Sequence, residues 1–430
     1  MSTNNVPEKV IAVGVVLADQ TRRVADEHLD ELEKLIETAG GVVVARILAK
    51  RKAPDAATWI GSGKAEEIRR LAEKEKVSLI VFDDELSPAQ TRNLEKIIGT
   101  KVIDRSALIL DIFAGRARSR EARTQVELAQ LEYMLPRLTR QWSHLERQAG
   151  GIGTRGVGET QLEIDRRIVR TRIGQLKSEL HKIEQTRHTQ RKSRAAAFTV
   201  ALVGYTNAGK STLFNRLTGG SAWAVDKLFA TLDAKSQRIS YPMPRPTVVI
   251  DTVGFVRKLP HHLVASFRST MEEAVSADLV LHVIDSANEE QALVGEEVLH
   301  DLGIPKERVI DVFNKEDLSR GYEVSESRGT SFETPQPRDR ETSVSALTGR
   351  GIEKLVAMIR ERELAGGEVL HLEIPYEESR MLAKLHDVAE VYEQRSTDRV
   401  TRVTAWVPQN AIDRFAHFSV SDSLKRAKVV

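Results

Sequence analysis

Gly204-Tyr-Thr-Asn-Ala-Gly209-Lys210-Ser211 follows Phe198-Thr-Val-Ala-Leu-Val203, a run of β-formers, and precedes Thr212-Leu-Phe-Asn-Arg-Leu217, an amphipathic helical start. That strand–loop–helix context is what a phosphate-binding loop requires, and it argues against an ordinary glycine turn. The glycines let backbone N–H groups converge on phosphate oxygens, and the helix N-terminus adds positive potential. Lys210 then reaches the terminal phosphates, and the Ser211 hydroxyl can ligate Mg²⁺. The stretch predicts a nucleoside triphosphate cradled by Gly204, Tyr205, Thr206, Asn207, Ala208, Gly209, Lys210, Ser211 and Thr212.

Further motifs choose the base. Asp251-Thr252-Val253-Gly254 follows the apolar strand pattern Pro246-Thr-Val-Val-Ile250, which places Asp251 where it can hold Mg²⁺ through water and the Gly254 N–H near a γ-phosphate. Asn314-Lys315-Glu316-Asp317 follows another buried-strand pattern, Val309-Ile-Asp-Val-Phe313. A carboxylate at Asp317 can accept from guanine N1–H and the exocyclic amine together, a donor pair that adenine lacks on that edge. The Lys315 stem can lie along the ring, and Asn314 can tie loops together or approach N7. Ser345-Ala346-Leu347 could supply a backbone N–H to guanine O6.

Around this centre the chain is modular. Its 430 residues suffice for about three domains, each with its own core. Residues 1–113 alternate strand patterns (Val10–Leu17, Gly41–Leu48, Leu79–Asp83, Lys101–Asp104) with amphipathic segments near 24–39, 64–75 and 87–98, which predicts a small α/β domain with a parallel sheet. Gly61-Ser-Gly63-Lys64 at a helix entrance could bind an anion but lacks the upstream glycine of a phosphate loop; a tight turn into a helix is the simpler reading. Residues 114–196 are charged and helix-favouring, and read as a hairpin of two long helices joined by Gly150-Gly-Ile-Gly-Thr-Arg-Gly-Val-Gly158. Arg116, Arg118, Arg120 and Arg123 open the hairpin, and Arg166, Arg167, Arg170, Arg172, Lys177, Lys182, Arg187, Arg191, Lys192 and Arg194 follow its second arm. As a cluster these fit a polyanion; singly, each fits a solvated helix face. Residues 197–365 return to α/β alternation, with a polar insert between Ser319 and Glu341. Residues 366–430 read β-α-β-β-α, a small α+β domain.

Net charge is only +2, although 29% of residues are charged, so local charge carries the information. The absence of cysteine excludes disulfides, thiolate catalysis and Cys-ligated zinc. The N-terminus makes a poor signal peptide and the longest apolar runs, such as Val10 to Ala18, are too short for a transmembrane segment, so a cytoplasmic chain is expected.

The order phosphate loop, Phe229-Ala230-Thr231-Leu232-Asp233, DTVG, NKED, SAL resembles the succession of motifs in the Ras-like P-loop GTPases across the whole central domain. That resemblance implies GTP and GDP as ligands. It makes Thr231 the switch threonine that coordinates Mg²⁺ beside Ser211 and Asp251, and it makes Lys210, Thr231 and Gly254 the catalytic set. Many small GTPases carry a water-orienting glutamine after DTVG, whereas this chain has Phe255, whose ring cannot hydrogen-bond water. Slow intrinsic hydrolysis that a partner accelerates is therefore expected.

Beyond the central domain, Lys50-Arg-Lys-Ala-Pro54, Phe82-Asp-Asp-Glu-Leu-Ser-Pro-Ala-Gln90, Val102-Ile-Asp-Arg105, Leu110-Asp-Ile-Phe113, Gln125-Val-Glu-Leu-Ala-Gln130 and above all Gly150 to Arg167 resemble the HflX family of ribosome-associated GTPases, over about residues 8 to 365. The resemblance implies an Mg²⁺-dependent GTPase that binds the large ribosomal subunit and its rRNA, is monomeric off the ribosome and does not use DNA. It implies a role in splitting stalled or idle ribosomes, or in ribosome assembly, under stress. It also implies ATP at the N-terminal part, with Gly61 to Lys64 as the visible candidate, and hence a rival reading as an ATP-dependent RNA chaperone or helicase-like enzyme with a regulatory G domain.

Overall fold

The computed structural model describes residues 7–18, 20–138, 161–193, 197–220, 228–229, 233–243, 246–258, 268–318, 340–397 and 399–420. The Gly150–Gly158 loop, Ala230, Thr231, Leu232 and nearly all of the 319–341 insert lie outside these residues. Contacts divide the chain into two compact units. The first holds Met1–Arg187 together with Val225–Asp233 and Val256–Ser269, and the second holds the remainder.

In the first unit, β1 (Glu8–Val16), β2 (Gly41–Lys50), β3 (Leu79–Phe82) and β4 (Lys101–Asp104) form an all-parallel sheet in the order β2-β1-β3-β4. Val10 to Val16 are buried without interruption, the pattern of a strand covered on both faces. The intervening helices α1 (Arg22–Ala39), α2 (Ser62–Glu75) and α3 (Pro88–Ile98) start and stop where local chemistry dictates. Ser87 and Gln90 form a reciprocal capping box with Pro88 in the first turn, and Gly99 closes α3 in the left-handed region at φ +76°. The expected strand and helix patterns of this region are all present.

Asp104 ends β4 and caps α4 (Arg105–Arg116), accepting from the Ala107 N–H at 2.9 Å. α5 (Arg120–Met134) and α6 (Gln161–Ser193) follow. Arg172 bonds Glu127 at 2.7 Å and Lys177 bonds Glu132 at 2.8 Å, while Arg120 pairs with Glu179, so part of the basic set is neutralised between helices rather than at i,i+4. Arg118, Arg123, Arg167, Arg170 and Lys182 remain solvent-exposed. Among the described side chains of α6, only Leu176 is buried.

At the centre of this unit Arg105, only 2% exposed, spans Asp83 (2.7 Å) and Glu31, and the Lys258 ammonium donates to Asp83 and Asp84 at 2.5 and 2.6 Å. Burial would raise the Asp83 carboxyl, but Arg105 and Lys258 hold it below the ordinary carboxylate range. Phe229 meets Phe113 edge-on with centroids 4.6 Å apart, and Asp233 accepts from the N–H groups of Arg118 and Ser119 at 3.1 Å each, at the head of α5.

The second unit contains β5 (Phe198–Gly204), α7 (Lys210–Thr218), β6 (Lys235–Arg238), β7 (Thr247–Asp251), β8 (Leu279–Asp285), α9 (Glu289–Asp301), β9 (Val309–Asn314), β10 (Glu341–Ser343) and α10 (Ile352–Ala365). Between β7 and β8 runs α8 (Arg268–Ser276), which crosses the unit boundary. The sheet order is β10-β9-β8-β5-β7-β6, parallel except for β6 against β7. Its strands end at Gly204, Asp251, Asp285, Asn314 and Ser343, so the motif residues emerge together at the carboxyl edge, where open α/β sheets bind ligands.

A separate antiparallel sheet of β11 (Gly367–Pro375), β13 (Val400–Pro408) and β12 (Glu390–Ser396), in that order, packs Leu372, Ile374, Val403, Ala405 and Val407 against α11 (Ser379–Val388) and α12 (Gln409–Phe415). This is the β-α-β-β-α pattern read from the sequence.

Removing Arg105 would leave buried Asp83 dependent on Lys258 and take a partner from half-buried Glu31, a loss of up to about 3–5 kcal/mol. Arg105→Leu is expected to speed amide exchange throughout β1 and β3 while leaving β5 and β8 protected; unchanged exchange in β1 would contradict this.

Candidate nucleotide-binding site

The phosphate loop carries two left-handed residues, Asn207 (φ +64°) and Gly209 (φ +94°), flanking Ala208, whose N–H closes a turn onto the Tyr205 carbonyl at 3.2 Å. Close packing fixes the glycines. A Cβ on Gly204 would fall 2.1 Å from the Val283 carbonyl oxygen, and one on Gly209 would fall 2.1 Å from Asn314 Nδ2. Lys210 is buried and donates to the carbonyls of Gly204 (3.0 Å) and Tyr205 (2.7 Å), folding its ammonium along the loop. Burial pushes Lys210 down to about 8, against the pull of Asp251.

The DTVG segment is pinned to this loop through its backbone. Phe255 N–H donates to Gly204 O at 2.9 Å and accepts at its own carbonyl from the Thr206 N–H at 2.7 Å, while Thr252 Oγ1 donates to Leu202 O at 2.6 Å. The Phe255 side chain is 3% exposed, so it packs in the interior and offers an attacking water nothing. Gly254 is needed for space: a Cβ would sit 2.7 Å from Lys210 Nζ and 2.8 Å from Thr206 Cα.

Ser211 Oγ donates to Asp251 Oδ2 at 2.8 Å, which brings one hydroxyl and one carboxylate together beside the loop. Among the described residues no group of three or more His, Cys, Asp or Glu side chains could hold a metal. The oxygen-only pair suits Mg²⁺, which takes few protein ligands and completes its shell with phosphate and water. The residues present therefore fit the ion.

Asn314, 2% exposed, donates from Nδ2 to Ala208 O at 2.8 Å and accepts at Oδ1 from the Ala346 N–H at 2.9 Å. One amide thus joins three loops. Ser345 Oγ donates to Asp317 Oδ1 at 2.5 Å, which orients the carboxylate. Lys315, in the left-handed region at φ +67°, donates to Asp285 Oδ2 at 2.8 Å. Asp285 escapes a motif-based reading, and its only sequence signal is an acid closing an apolar strand.

The second unit therefore assembles residues 204–212, 251–254, 314, 315, 317 and 345–347. Phe229 and Asp233 instead have their contacts in the first unit, on Phe113 and Ser119, and Thr231 lies outside the described residues. At the other candidate anion loop, Gly61 (φ +85°) leads into α2, the Arg51 guanidinium occupies the space a Cβ would need at 2.6 Å, and Lys64 is engaged by Glu67 at 2.8 Å. A cleft of about 370 Å³ lies there, bordered by Lys50, Arg51 and Lys64.

Phosphate oxygens next to Lys210 would restore its full charge, so nucleotide binding takes up a proton once pH exceeds about 8. GDP affinity is expected to be flat from pH 6 to 7 and to weaken several-fold between about pH 8 and 9. Titration calorimetry checks this against Lys210→Arg, which stays charged and should lose the dependence; identical profiles would contradict it.

Comparison with known proteins supplies the family. Residues 26–114 match the model described as GTP-binding GTPase N-terminal, 116–194 the GTP-binding GTPase Middle Region, and 199–315 the 50S ribosome-binding GTPase. GTPase HflX of Caldanaerobacter subterraneus subsp. tengcongensis is 42% identical over 419 residues, covering 96% of this chain and 94% of that protein. GTPase HflX of Magnetococcus marinus is 44% identical over 409 residues (93% of each), and that of Escherichia coli 45% over 368 residues (84% and 85%). Among solved structures, a GTP-binding protein from the hyperthermophilic archaeon Sulfolobus solfataricus in complex with GDP shares 25% identity over 82% of this chain and 98% of that one, with a TM-score of 0.43. With the phosphate loop, the guanine motifs and full-length relatives in agreement, the chain belongs to the GTPase HflX family.

Proposed function

We propose that this GTPase binds the large (50S) ribosomal subunit and its rRNA in the GTP state, and that hydrolysis to GDP and phosphate releases it. Its work there is the splitting of stalled or idle ribosomes, or assistance to ribosome assembly, under stress, in the cytoplasm. Support comes from the family model described as a 50S ribosome-binding GTPase and from the exposed bases Arg118, Arg123, Arg167, Arg170 and Lys182 on the helical arms. The observation that carries the reading is the joining of three nucleotide loops by Asn314.

In this reading Lys210 neutralises the β- and γ-phosphates, and the Gly254 N–H faces the γ-phosphate. Ser211, Asp251 and Thr231 hold Mg²⁺, which supplies charge neutralisation at the reacting phosphoryl group. Asp317 takes both donors of the guanine edge, Lys315 lies along the ring, and Phe229 to Asp233 forms the nucleotide-sensing segment. With Phe255 buried, no side chain at that position orients the attacking water, and the ribosome completes the site. Among the described residues no helix is long and apolar enough to cross a membrane.

Cosedimentation with 50S subunits is expected with a nonhydrolysable GTP analogue, to fall with GDP, and to be lost in Lys210→Ala; nucleotide-independent pelleting would contradict the switch. Asp317→Asn exchanges an acceptor oxygen for a donor amide and should weaken GTP at least about tenfold while favouring xanthosine triphosphate. Unchanged GTP affinity would remove Asp317 from the base site.

A further inference from the structure

Of the three amides in Ser345-Ala346-Leu347, two are already engaged. Ser345 N–H donates to Arg350 O at 2.9 Å and Ala346 N–H to Asn314 Oδ1 at 2.9 Å. Leu347 N–H has no partner among the described residues, and the Leu347 side chain stands in solvent, 70% exposed. It is the amide left to meet a ligand oxygen.

What aims that amide is Arg216, on the same helix α7 that begins with Lys210. Its Nε donates to Ala346 O at 3.2 Å, and Nη2 donates to Leu347 O. Ala346 O and Leu347 N–H belong to one peptide unit. Because that unit is planar and trans, its C=O and N–H point in opposite directions, so a donor holding the oxygen fixes the direction of the hydrogen. The guanidinium charge also polarises the peptide and strengthens the N–H as a donor.

We propose that Arg216 is a positioning residue for base recognition: it holds the Ala346–Leu347 peptide so that Leu347 N–H presents to guanine O6. The proposal rests on Ser345 to Leu347 serving the base, as assigned above. It extends that assignment by naming the donor amide and the side chain that aims it. It also makes α7 a shared strut, with Lys210 at its phosphate end and Arg216 holding the base loop.

The test is displacement of a fluorescent GDP by GDP, by 6-thioguanosine diphosphate and by inosine diphosphate. The first analogue weakens only the O6 acceptor, and the second removes only the amine read by Asp317. Wild type should prefer GDP over both. Arg216→Gln should weaken GDP about fivefold, the scale of one hydrogen bond, and leave the thio analogue nearly unchanged. The GDP to inosine diphosphate ratio should stay at its wild-type value. Arg216→Lys, which can reach one of the two carbonyls, should recover part of the loss. Equal loss for GDP and the thio analogue in both variants would reduce Arg216 to a general support of the fold and overturn the proposal. Equal wild-type affinity for GDP and the thio analogue would instead show that O6 is not read, removing the base-loop assignment together with the role given to Arg216.

Discussion

The site depends on a single buried amide. Asn314 closes β9, donates to Ala208 in the loop after β5 and accepts from Ala346 in the loop after β10, so its two hydrogen bonds set the distance between those loops. The rest of the region conforms to it. Gly209 lacks a side chain because Asn314 Nδ2 occupies that space, and Lys315 adopts a left-handed backbone immediately after Asn314. Strain of this kind, over-determined by neighbouring bonds, is typical of a preorganised ligand site.

Around that centre, chemistry is divided by location. The second unit holds the phosphate loop, DTVG, NKED and SAL on the carboxyl edge of one sheet. The segments Val225–Asp233 and Val256–Ser269 belong by their contacts to the first unit, through Phe113, Ser119, Asp83 and Asp84. Asp83, one of the two acids that receive Lys258, is also held by Arg105. Burial opposes the Lys258 charge, but Asp83 and Asp84 more than offset it and raise its affinity for the proton, so this ion pair persists across the neutral range.

Much of this was legible in the sequence because it is local. The strands of the first sheet, the β-α-β-β-α tail and the phosphate loop each announce themselves within about ten residues through periodicity and turn chemistry. The contacts of Phe229 and Asp233 were not legible: Asp233 meets Ser119 across 114 residues, and no local pattern encodes such a pairing. Asp285 carries no local signal for the same reason, since its partner Lys315 is 30 residues away. The charge of the basic helices is legible residue by residue, but the pairing of Arg172 with Glu127 and Lys177 with Glu132 needs the register of two helices, which one sequence does not provide.

One side chain thus preassembles the proposed guanine-nucleotide site. Calorimetric GDP affinity of Asn314→Ala tests it most directly, because the change deletes both bridging bonds and leaves the Ala208 carbonyl and Ala346 N–H without their partner. A loss of about 100-fold is expected, from about one to three kcal/mol for each buried group left unsatisfied. An affinity within about twofold of wild type, in a variant whose β5 and β9 amides remain protected, would contradict it.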